Sequence, residues 1–90
     1  MSQIQVACDA VGGQAALARS LGIAGAVVNQ WVSGFRPIPI KYCHAIERQT
    51  NGAVTCEDLR PEEPWRRIPD ASWPHPGGRP VLDFAAKEAA

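Results

Sequence analysis

The stretch Leu17 to Gly34, LARSLGIAGAVVNQWVSG, sets Gly22 between two segments that each space their apolar residues like a helix. Leu17, Ala18 and Leu21 share one face of the first segment, and Val28, Trp31 and Val32 share one face of the second. A glycine at the end of a periodic segment suits a residue of positive φ just past a helix, so Gly22 ends one helix from about Gln14 to Leu21. The next, roughly Gly25 to Ser33 and closed by Gly34, begins after about three turn residues. Helices joined so tightly form a helix-turn-helix corner, crossing at roughly 90 to 120°.

The flanking sequence extends this helical reading in both directions. Ile4, Ala7, Cys8 and Val11 follow i, i+3, i+4, i+7 with Ser2 as an N-cap, which predicts a first helix ended by Gly12-Gly13. Prolines are tolerated in a first helical turn, so Pro37 and Pro39 lead into a fourth helix over about Pro39 to Thr50, with Tyr42, Cys43 and Ile46 inward. Asn51-Gly52 ends it. Thr55 with Asp58 three residues on, between Val54 and Leu59, reads as a capping box with a hydrophobic staple and predicts a one-turn fifth helix.

Beyond Arg60 the composition changes: six of the eight prolines fall after it, with Gly77-Gly78 among them. Proline cannot donate to a helix or a central strand, so residues 61–90 read as a tail that is disordered or docked, its Trp65 and Trp73 being costly to leave in water. Only VLDFAAKEAA has helix-forming composition there. The 90-residue chain thus divides into one small helical domain, 1–60, and the tail. If the tail folds back, Arg66 and Arg67 come within reach of whatever the domain binds.

The third helix is two-sided. At about 100° per residue, Ala26, Asn29, Gln30 and Ser33 gather opposite Val28, Trp31 and Val32. Each amide of Asn29 and Gln30 offers an acceptor and donor hydrogens, which match the acceptor and donor on the major-groove edge of adenine. Trp31 belongs to the core.

These features, with the continuous blocks GGQAALARSLG, VNQW, RPIP, AIERQTNGAVT and EDLRP, resemble the lambda-Cro and YdaS-like helix-turn-helix repressors of phages and prophages over about residues 4 to 61. The resemblance implies an all-α, lambda-repressor-like domain of five short helices that binds double-stranded operator DNA, usually as a homodimer, with the third helix in the major groove. It makes Ala24, Gly25, Ala26, Asn29, Gln30 and Ser33 the groove-facing set and brings Gln14, at the start of the second helix, to a phosphate. Arg36 and Lys41 flank the recognition helix as phosphate contacts. Many relatives carry longer polar side chains at the start of that helix; with Ala24-Gly25-Ala26 there, sequence discrimination is either modest or rests on Asn29 and Gln30 with help from DNA shape.

Other classes fare worse. Nine basic and nine acidic residues cancel, so attraction to DNA must come from local placement of charge. Cys8, Cys43 and Cys56 lack metal-ligand or disulfide spacing and read as apolar fillers, and adjacent Cys43 and His44 point in different directions on a helix, so neither an enzyme nor a metal or cofactor site is expected. The absence of a membrane-length apolar run and of a signal-like amino terminus gives a cytoplasmic expectation with no membrane partner. A protein-interaction module or antitoxin-like inhibitor, gripping a protein partner through the tail, is the alternative to a DNA-binding regulator.

Overall fold

A computed structural model describes residues 2–83. The elements run α1 (Gln3–Val11), α2 (Gln14–Leu21), α3 (Gly25–Val32), α4 (Ile40–Gln49), α5 (Cys56–Leu59), β1 (Trp65–Ile68) and β2 (Arg79–Leu82). Each helix begins and ends close to the residues the capping pattern marks. The Ser2 hydroxyl accepts from the Gln5 amide at 3.3 Å. Thr55 and Asp58 form the reciprocal capping box, at 3.1 and 3.0 Å. Ser33, expected inside the third helix, caps it instead, and Pro39 and Thr50 likewise flank α4.

Gly22 answers the geometric demand of the corner. Its φ of 70° and ψ of 32° are left-handed, and the amides of Gly22 and Ile23 return to the Arg19 and Ala18 carbonyls, at 3.2 and 3.0 Å, as in a Schellman motif. Ile23 then drops onto the core, where Ile4, Leu17, Val28, Trp31 and Ile46 meet.

The segment after residue 60, left by the sequence as either disordered or docked, forms an antiparallel two-stranded hairpin through residue 82. Trp65 pairs with Leu82 and Ile68 with Arg79. Pro80 is accommodated because both strands of a two-stranded sheet are edges. Gly78 is required: its φ is +96°, and a Cβ there would overlap the Ile68 carbonyl oxygen. Within VLDFAAKEAA, Val81 and Leu82 are strand rather than helix. Phe84 onward lies outside the described residues.

Glu47 fastens the hairpin to the helices. Cys43, Ile46 and Glu47 are buried on one stripe of α4, continued by Thr50 at its C-cap, so the carboxylate is 0% exposed in the core. All five N–H groups of the Arg67 guanidinium are used around it. Two go to Glu47, at 2.6 and 2.7 Å, two to Glu57, at 2.5 and 3.1 Å, and one to the Gly78 carbonyl at 2.8 Å. The Trp73 indole N–H and the Cys56 amide also donate to Glu47. Burial by itself would raise the Glu47 pKa; the Arg67, Trp73 and Cys56 hydrogen bonds outweigh it and hold the carboxyl below its usual range. The expectation that a folded-back tail brings Arg67 within reach of what the domain binds is therefore corrected: its guanidinium is committed inside the protein.

Further contacts secure the hairpin. The Trp65 indole donates to the Arg60 carbonyl at 2.9 Å, and a His44 ring nitrogen meets the Pro80 carbonyl at 2.9 Å. The Trp65 and Trp73 rings stand edge-on to His44.

Candidate nucleic-acid interface

The polar face of α3 points away from the core. Val28 and Trp31 are buried beneath it, 0% and 4% exposed, while Ala24, Gly25, Ala26, Asn29 and Ser33 lie on the surface and Gln30 is half-buried. This is the two-sidedness that the 3.6-residue period requires. Trp31 packs on Tyr42 of α4 with ring centroids 5.4 Å apart, so α3 is set against the helix that also carries the hairpin.

Asn29 is braced from the preceding helix. Its Nδ2 donates to Oε1 of Gln14 at 3.3 Å, so the first residue of α2 and the middle of α3 meet at the surface across 15 residues of chain. The contact leaves Asn29 with its carbonyl oxygen and one amide hydrogen for an external partner, and holds the side chain in one orientation. Gln14 follows the positive-φ Gly13, which serves as N-cap without a side-chain hydrogen bond. That end of α2 accordingly keeps backbone amides that are not satisfied within the helix.

At the carboxyl end of α3 the chain turns back on itself. The Gln30 carbonyl accepts from the Ser33 hydroxyl at 3.3 Å and from the Phe35 and Arg36 amides at 2.9 and 3.4 Å. Arg36 is exposed beyond this turn, and Lys41, on the first turn of α4, is exposed with its ammonium 4.9 Å from the Tyr42 ring centroid. Both cations thus lie in or just after the connection that follows α3. Phe35, 86% exposed, stands next to Arg36 and was missed by the sequence reading, because a lone aromatic between a glycine and an arginine belongs to no periodic pattern.

The cysteines contribute packing. All three are free and fully buried, and burial pushes the Cys43 thiol up to about 11 and the Cys56 thiol higher still. None is positioned as a nucleophile. Among the described residues no three metal-binding side chains gather, and no helix is long and apolar enough to cross a membrane.

Comparison with known proteins identifies the family. The family model described as bacterial toxin YdaS matches residues 4–68. The chain belongs to the YdaS family. A curated member, "Putative transcriptional regulator YdaS" of Escherichia coli strain K12, is 54% identical over 59 residues, which cover 66% of this chain and 60% of that protein. The match thus spans about three fifths of the length of this YdaS relative. Among solved structures, the Cro protein from "putative prophage element Xfaso 1" of Xylella fastidiosa strain Ann-1 is similar at a TM-score of 0.64 and 42% identity, over 69% of this chain and 94% of the Cro chain. The five-helix part of the fold is therefore Cro-like. The Glu47–Arg67 pair lies within the span that the YdaS model matches, whereas β2 lies beyond it.

Proposed function

We propose that this chain is a DNA-binding transcriptional regulator that lays α3 in the major groove of an operator. The observation that carries the reading is the exposed amide of Asn29, braced by Gln14 and raised above buried Val28 and Trp31. In this reading Asn29 and Gln30 read base edges, Ala24, Gly25 and Ala26 allow close approach and methyl contact with thymine, and Ser33 borders the groove. Gln14 with the α2 amino end, Arg36 and Lys41 take phosphates on either side. The regulator and Cro names of the relatives support it.

The chain binds as a homodimer, so two α3 helices meet one side of the duplex at half-sites about 10 to 10.5 base pairs apart. Selection of bound duplexes from a random pool, followed by footprinting, tests this. A two-fold-related protected site is expected. Binding without any sequence preference would overturn the proposal.

The second reading, an interaction module gripping a protein partner through its tail, keeps the near-zero net charge and the Ala24-Gly25-Ala26 surface in its favour but is weakened at the tail itself. Trp65 and Trp73, the aromatic groups such a grip would use, are engaged with Arg60, His44 and Glu47 of the same chain.

A further inference from the structure

The junction of α4 with the hairpin leaves an open groove of about 670 Å³ whose charged lining, among the described residues, is basic: Lys41, Arg48 and Arg79, with His44 and Trp73 between them. In a chain of nine basic and nine acidic residues, three cations around one groove are a marked local excess. None of the described acidic residues lines it. Glu47 and Glu57 hold Arg67, Glu62 and Glu63 hold Arg60, and Asp58 caps α5. Asp70 is outside the lining; its carboxylate is held below its usual pKa by the Ser72 hydroxyl and amide, with smaller contributions from Arg79 and Arg48.

The cations are also ordered in space. Lys41, His44 and Arg48 follow i, i+3, i+7 on α4, which sets the two cations about 10.5 Å apart along the axis at 1.5 Å per residue. Arg48 is steadied over the Trp73 ring, 5.6 Å from its centroid, and Arg79 lines the same groove from β2. Lys41 also belongs to the phosphate contacts flanking α3, so the groove continues that surface.

We propose that this groove seats the DNA backbone flanking the operator, so that the carboxyl-terminal hairpin, through Arg79 and the Trp73-supported Arg48, extends the DNA contact beyond the helix-turn-helix. The inference rests on the DNA-binding reading above. An acidic protein segment is the competing occupant; the Lys41 shared with the proposed α3 phosphate contacts favours the DNA backbone.

The test is the salt dependence of duplex binding by the full chain, compared with Arg79→Gln and with Arg48→Gln/Arg79→Gln, each first shown by circular dichroism to be folded. Each lost phosphate contact lowers the slope of log K against log salt by about 0.9, so the single variant should lose about one unit and the double variant about two. The ratio of operator to random-sequence affinity should stay the same. Arg79 is an exposed strand residue, so its variant keeps the test valid if loss of Arg48 loosens Trp73. Unchanged slopes on a duplex that the parent binds would overturn this inference alone, as would unchanged slopes with lost binding of a polyglutamate peptide, which would assign the groove to acidic protein. A parent chain that binds no duplex would overturn the DNA-binding reading and this inference together.

Discussion

Replacing Arg67 by alanine removes five hydrogen bonds at once and leaves the Glu47 carboxylate without a cation in a fully buried position. Stripping one partner from a buried ion pair costs about 3–5 kcal/mol, much of it the penalty on the charge left behind. The Trp73 and Cys56 donors remain and lessen that penalty, but neither is charged. The protein can also escape by undocking the hairpin and admitting water to Glu47, so the free energy of docking caps the loss. For a domain of 60–100 residues each kcal/mol moves Tm by about 4–8 °C, and a loss of about 3 kcal/mol lowers it by at least about 12 °C. Helical circular dichroism follows the melt, while the emission maximum reports Trp65 and Trp73 entering water. Arg67→Lys should recover little, since an ammonium cannot span two carboxylates with a planar fork. Glu47→Gln/Arg67→Ala should melt above Arg67→Ala, because it removes the stranded charge. An Arg67→Ala protein that melts within about 4 °C of the parent, with an unshifted emission maximum, would refute the reasoning.

Acid should act on the same pair. The folded pKa of Glu47 lies below the ordinary carboxylate value of 4.5, so the stabilisation is complete above that value and is lost as pH falls through it toward the folded pKa. Tryptophan emission followed from pH 7 downward should shift to the red only below about 4.5. Asn29→Ala should cost about 1–3 kcal/mol on the selected operator and far less on random duplex, measured by titration of labelled DNA; equal losses on both would remove its base-reading role. Trp31→Ala should cost about 3–5 kcal/mol by opening a cavity between α3 and α4, and a variant with the parent's melting curve would contradict its buried placement. The thiols of Cys43 and Cys56 should react with a disulfide reagent only as fast as the chain opens, since burial disfavours both thiolates; immediate reaction in native buffer would show access that the fold denies.

The five helices were legible because their determinants are local. Ser2, Gly22 and the Thr55–Asp58 pair act within a few residues of themselves, and a 3.6-residue period separates Trp31 from Asn29 without any tertiary information. The hairpin was not legible for the opposite reason: its strands are four residues each, rich in arginine and proline, and its anchors join Glu47 to Arg67 and His44 to Pro80 across 20 and 36 residues. One signal was present and pointed the right way. Glu47 falls on the same stripe as Cys43, Ile46 and Thr50, and a carboxylate at an inward position demands a cation from somewhere else in the chain. Of the proposed interface, the polar face of α3 could be read from periodicity, but the Gln14–Asn29 contact depends on how two helices meet at the corner. The groove behind α4 needed the hairpin in place.

A break in the chain after residue 60 looks harmless on paper, since every helix survives it. It would nevertheless take Arg67 and Trp73 away from Glu47, so the severed amino-terminal fragment inherits a negative charge with no cation to meet it. Transplanting the helical unit into another protein therefore means either carrying the hairpin along or giving position 47 an uncharged side chain, and sequence changes at 47 and 67 should be tolerated together more readily than singly.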